Sequence, residues 1–84
     1  MIYYSISVNG SSDLQTSVAG EEILDGKNYV NFQILNDQDC HIKINNKNYI
    51  FLRANQGYQS ISGSVFSCKI EENSITFNWI GDEA

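Results

Sequence analysis

Short runs in which β-branched or aromatic residues occupy every second position constrain this chain more than any other feature, because that two-residue period places one set of side chains on a single face of a strand. Ile2, Tyr4, Ile6 and Val8 alternate with Tyr3, Ser5 and Ser7, which predicts a first strand ended at Asn9-Gly10. Ser11 to Gly20 is polar, with Leu14 and Val18 four apart, and reads as a loop with room for one short strand. Asp25-Gly26 is a turn pair, after which Val30, Phe32 and Ile34 alternate with Asn31 and Gln33 in a strand over residues 29–35. Asn36-Asp37-Gln38-Asp39 interrupts the pattern. Cys40, Ile42 and Ile44 then alternate with His41 and Lys43, and an Asn-rich turn returns the chain through Tyr49 to Leu52, so residues 40–52 read as a hairpin.

The second half keeps the same rhythm. Ala54-Asn55-Gln56-Gly57 is a bend, Tyr58 to Ile61 a short strand, and Ser62-Gly63-Ser64 a turn. Phe66, Cys68 and Ile70 form one expected inward stripe and Ile75, Phe77 and Trp79 the next; joined by Glu71-Glu72-Asn73 they suggest a second hairpin. Gly81 to Ala84 reads as a frayed tail. Eleven Ile against three Ala, with ten Asn and ten Ser, favours pleated strands and frequent turns over helices. The expected fold is all-β, a small antiparallel β-sandwich or barrel of six to eight short strands, in one domain spanning residues 1–84.

Charge and hydropathy narrow the function. Ten acidic and five basic residues give a formal charge of −5, which disfavours nucleic-acid binding. No apolar run approaches the roughly 18 residues of a membrane span, and the N-terminus lacks the basic start and long apolar stretch of a signal peptide, so synthesis in the cytoplasm is expected. At 84 residues the core is small, and an oligomer or multi-copy assembly is the expected means of support.

Few residues carry candidate chemistry. His41, the single histidine, adjoins Cys40, but neighbours on a strand point to opposite faces, so the pair is not placed as nucleophile and base. Cys40 and Cys68 fall on core stripes, where burial is expected; a disulfide between them is the alternative. One His and two Cys do not make a zinc site, and an EF-hand loop starting at Asp37 fails at its glycine and its closing glutamate. Glu21-Glu22 and Glu71-Glu72 read as solubility charge. Phosphate-binding glycine loops, nucleophile elbows and HExxH are absent, so neither enzymatic activity nor a cofactor is expected. Tyr3, Tyr29, Tyr49 and Tyr58 are placed as outer-face contact residues, and Trp79 as a core residue.

Four segments carry a family likeness: Asn36-Asp37-Gln38-Asp39, Ile42-Lys43-Ile44-Asn45, Leu52-Arg53-Ala54-Asn55-Gln56-Gly57 and Phe77-Asn78-Trp79-Ile80-Gly81. Their turn and strand pattern resembles small β-sandwich accessory virion proteins of tailed phages and prophages of Gram-positive bacteria, over a little more than half the chain. That resemblance implies a non-enzymatic bacteriophage structural protein, made in the host cytoplasm and located in the virion as a capsid decoration or a neck or tail component. Its partners would be capsid or tail proteins, held by multivalent contacts, and it brings no catalytic residue. The bend residues Asn55, Gln56 and Tyr58, together with Tyr3, are the expected partner surface. A small inhibitor of a host defence system and a carbohydrate-binding module remain the alternatives.

Overall fold

The computed structural model describes residues 10–11, 14–60 and 62–84, so the expected strand from Ile2 to Val8, with Tyr3, lies outside the described residues. Among the described residues there are eight strands: β1 (Gly10–Ser11), β2 (Gln15–Thr16), β3 (Tyr29–Asn36), β4 (Cys40–Ile44), β5 (Tyr49–Leu52), β6 (Tyr58–Gln59), β7 (Cys68–Ile70) and β8 (Thr76–Glu83). All pairings are antiparallel. The larger sheet runs β1, β8, β3, β6, with β2 also on β8, and the smaller runs β5, β4, β7. Residues from both sheets meet in one core, so the all-β sandwich expected from the alternation is the architecture.

Trp79 on β8 joins that core from the large sheet. Its ring meets Tyr29 edge-on at 5.0 Å and Phe32 at 5.8 Å, both from the neighbouring β3. Ile34, Ile42, Leu52, Val65, Ile70, Ile75 and Phe77, with Leu24, Cys40 and Cys68, fill the rest. Space for the Tyr29 ring depends on Gly81, where an added Cβ would stand 3.1 Å from the Tyr29 Cβ.

A β-bulge changes which residues of β3 face inward. Val30 pairs with Asp82 but Gln33 with Ile80, so three steps on β3 match two on β8, and Asn31 takes up the extra residue at φ 53°. Tyr29 therefore turns into the core at 2% exposure while Val30 is only half-buried. Tyr29 is thus not an outer-face contact residue, and Val30 does not share the depth of Phe32 and Ile34.

The hairpin from Cys40 to Leu52 has the expected pairing, Ile42 opposite Ile50 and Lys43 opposite Tyr49. Asn45 and Asn46, at φ 54° and 61°, supply the two left-handed positions a tight turn requires, and Lys47 N–H bonds the Ile44 carbonyl at 3.1 Å. The second expected hairpin does not form. β7 pairs with β4 in the small sheet and β8 with β3 in the large one, so residues 71–75 cross between sheets. Ser17 anchors this crossover: its hydroxyl donates to the Glu72 carbonyl at 2.6 Å and accepts from Ile75 N–H at 2.9 Å.

Two further expectations are corrected. Phe66 lies outside at 46% exposure because Val65, bridged to Tyr29 through both backbone groups, takes the inward place, and strand alternation begins only at Cys68. Residues 81–83 are no tail: β8 continues to Glu83, paired with Tyr29, and Ala84 N–H bonds the Asn28 carbonyl. The polar stretch before Gly20 does hold a short strand, β2. β6 is shorter than expected, ending at Gln59, and Ile61 lies outside the described residues.

Replacing Trp79 with Ala removes the ring on which Tyr29 and Phe32 pack, and should cost about 3–5 kcal/mol, a large part of a small domain's stability. The measurement is the urea midpoint by tryptophan-independent circular dichroism; an unchanged midpoint would refute the core assignment.

Candidate docking surface

The expected partner residues resolve into two kinds. Asn55 and Gln56 form a bend that docks on the end of β3. Asn55, at φ 65°, donates its N–H to the Asn36 carbonyl at 2.7 Å, and Gln56 Oε1 accepts from Arg53 N–H at 2.8 Å. Asn36 lies below them at 1% exposure. Its Nδ2 donates to the carbonyls of Gln38 and Arg53, both at 2.8 Å, and its Oδ1 accepts from Gly57 N–H at 2.9 Å. Asp39 adds a carboxylate oxygen 2.8 Å from Ala54 N–H. Gly57 is required there: φ is 70°, and a Cβ would stand 2.9 Å from the Ile34 carbonyl oxygen. The two turn segments therefore hold each other, which gives Asn36, Asp39, Asn55 and Gln56 a structural role. Tyr58 is half-buried and packs against the core from β6.

A groove of about 350 Å³ opens where this bend meets the outer face of the large sheet. Across it Ile80, Gln33 and Gln59 stand in register on β8, β3 and β6, and Leu35 stands opposite Asn78. Leu35 and Ile80 are 49% and 39% exposed. With Gln56 and Tyr58 at its rim the lining contains no formal charge, only amides, aliphatic groups and rings. Such a surface loses little on desolvation when its amides find partners. Of the expected partner residues, the structure brings Gln56 and Tyr58 to this groove, leaves Asn55 outside its lining, and does not describe Tyr3.

The ionisable groups have other duties. Cys40 and Cys68 are free and buried on the inner face, and His41 lies on the outer face, as the alternation requires. Burial pushes the thiols up, to about 11 for Cys40 and about 12 for Cys68, with Glu72 and Glu22 respectively adding to it. Both are protonated and poor nucleophiles at neutral pH. Glu22 and Glu72, expected to be solubility charge, instead cap strands. Glu22 accepts from the N–H groups of Leu24 and Cys68 through one oxygen and from the Ser67 hydroxyl through the other. Glu72 accepts from His41 N–H at 2.8 Å and sits 2.6 Å from His41 Nδ1, while Glu71 Oε1 stands 3.6 Å from the same nitrogen. Potential ligand atoms of His41, Glu71 and Glu72 all lie within 4.8 Å of one another, but the Glu72 oxygens are already engaged by His41.

Comparison with known proteins found no match to any family model, any curated protein or any solved structure.

The Glu72 hydrogen bond raises His41 above its ordinary value of 6.5; in Glu72, burial works upward but the bonds from the His41 ring and backbone outweigh it and hold the carboxyl below 4.5. The His41 contribution to stability is complete below pH 6.5 and is lost as pH rises through its raised folded value; the Glu72 contribution is present above pH 4.5 and is lost on acidification. The wild-type urea midpoint should therefore fall between pH 6 and pH 8.5, and His41→Gln should flatten that fall. Equal slopes in the two proteins would show that the pair makes no contribution.

Proposed function

We propose that this chain is a non-enzymatic, protein-binding accessory component of a phage virion, attached to capsid, neck or tail in many copies. The observation that carries the protein-binding part is the uncharged groove with Leu35 and Ile80 exposed on a rigid sheet, next to the Gln56–Tyr58 rim. Strand residues two apart present that surface with little conformational freedom left to lose, which favours binding by a preformed face. The ionisable groups support a reading without turnover: the thiols are buried and protonated, and the carboxylates of Glu22 and Glu72 hold backbone donors. Placement in a virion rests on the turn and strand pattern of residues 36–57 and 77–81; the side chains of Asn36 and Asp39 give that pattern a physical reason by fastening its separate pieces together. In a symmetric shell, contacts that are weak singly retain each copy through avidity.

A carbohydrate-binding role draws less support. Tyr49 and Phe51 do share the outer face of β5, but Lys43 lies over the Tyr49 ring at 4.5 Å and His41 packs on Phe51 at 5.3 Å, so neither ring is a bare stacking platform.

Leu35→Glu tests the groove. The substitution is on the surface and should leave the unfolding free energy within about 0.5 kcal/mol. The fraction co-sedimenting with virion particles from the same source should drop at least tenfold against wild type. Failure of the wild-type protein to co-sediment would overturn the virion reading, and equal retention of Leu35→Glu would overturn the groove as its contact.

A further inference from the structure

Charge is unevenly divided along the chain. Residues 40–70 contain Lys43, Lys47, Arg53 and Lys69 and no acidic residue, whereas the remainder carries all ten acids and a single cation, Lys27. Because β4, β5 and β7 all fall within that stretch, the strands of the small sheet carry cations and no acidic residue, and the carboxylates of Glu22, Glu71 and Glu72 reach the sheet on its β7 side, at Cys68 and His41. The chain's net charge of −5 conceals this division.

Three of these four cations gather around one edge, and Lys69 lies on β7 at the other. Lys47 lies in the turn leading into β5, Arg53 follows directly after Leu52, and Lys43 reaches from β4 over the Tyr49 ring. β5 ends the small sheet, paired with β4 on one side and with no described residue on the other. Glu71 N–H bonds the His41 carbonyl, so the backbone groups of His41 face β7 and those of Ile42 face β5. By the register, Ile50 and Leu52 turn their backbone groups to β4, while Tyr49 and Phe51 turn theirs away from the sheet. Beside this edge a second groove, of about 290 Å³, is floored by Ile44, Ile50 and Val65 and rimmed by Tyr58 and serines. Ile50 and Phe51 are 43% and 51% exposed.

An edge with donors and acceptors unpartnered among the described residues and with apolar side chains, with Lys43 and Lys47 at one end and Arg53, next to the Asp39 carboxylate on Ala54 N–H, at the other, is a template for one more strand. We propose that the outer edge of β5 binds an extended, acidic segment of a partner protein by strand addition, its inward side chains seated on Ile44, Ile50 and Val65 and its carboxylates facing Lys43, Lys47 and Arg53. This rests on the protein-binding reading above and names the chemistry of one partner. A second copy of the chain fits poorly, because its own described edge strands, β1, β2 and β6 of the large sheet and β5 and β7 of the small one, contain no acidic residue. About six residues separate Lys47 from Arg53, a span of roughly 20 Å along a strand, which sets the length of segment that reaches both.

The probe is a nine-residue peptide of alternating Glu and Val, blocked at both ends, titrated into isotopically labelled protein and followed by amide NMR. Saturable shifts are expected at Tyr49 and Phe51. Binding should weaken at least tenfold when Lys replaces Glu in the peptide, or in a Lys43→Glu, Lys47→Glu double variant, and should be lost when alternate peptide nitrogens are methylated. The methylated peptide leaves the protein unaltered, so a folding defect in the variant does not blur the result. Equal binding of the Glu and Lys peptides, shifts confined to other strands, displacement by an oligothymidylate, or self-association covering Tyr49 and Phe51 would each overturn the inference. Co-sedimentation separates it from the reading beneath: if wild type and the double variant sediment equally with virion particles, the acidic strand is refuted and the virion reading stands. If wild type stays free of particles, the virion reading fails, and the peptide titration still decides the edge.

Discussion

Short strands leave their terminal backbone groups without ladder partners, and in this sandwich side chains take the places that further strand residues would fill. An unpartnered donor at a buried strand end costs about 1–3 kcal/mol, comparable to losing several buried methylenes, so a small domain tolerates few of them. Asn36 receives Gly57, Glu72 receives His41, Glu22 receives Cys68, and Asn45 Oδ1 receives both Phe66 and Ser67. Each of these bonds joins parts of the chain at least 21 residues apart. The abundance of Asn thus has a structural use: a planar amide both donates and accepts, and can end one strand while fastening the turn that starts another.

The same bonds fix where the binding surfaces lie. Asn36 holds the 53–57 bend against β3, and the bend forms one wall of the groove on the large sheet. Asn45 ties the β4–β5 turn to the segment before β7, and that turn brings Lys47 to the start of β5. Where the polar group is buried, as Asn36 is, placing the loop is also a source of specificity, since a half-satisfied buried network is worse than an apolar one. The apolar core around Trp79 supplies the larger share of stability, while the polar bonds select which loop conformation that core supports.

The legible parts of the chain were those whose signal is local. The Cys40–Leu52 hairpin could be read because alternation and an Asn-Asn turn agree within thirteen residues, and burial of Cys40, Cys68 and Trp79 followed from their stripes. The inward turn of Tyr29 was hidden because one residue, Asn31, adopts a left-handed conformation and reverses the parity of the strand before it. Likewise the crossover that splits β7 and β8 between two sheets is held by Ser17, more than fifty residues earlier in the chain. Gln56 and Tyr58 were placed near a surface by the bend they occupy, but Leu35 and Ile80 read as ordinary strand positions. The strand-capping carboxylates looked like solvated charge, since their partners are remote in sequence. Division of charge between residues 40–70 and the rest is plain in a count by segment, yet its meaning needs the sheet order.

Amide hydrogen exchange of the native protein tests most directly whether side chains stand in for missing strand partners. The backbone N–H groups of Gly57, His41 and Cys68 each donate to a side chain. They should exchange as slowly as ladder amides in β4 and β8, and Asn36→Ala should release Gly57 at least tenfold while leaving Cys68 protected. Exchange of these three amides at the rate of open loops in the wild-type protein would contradict the account.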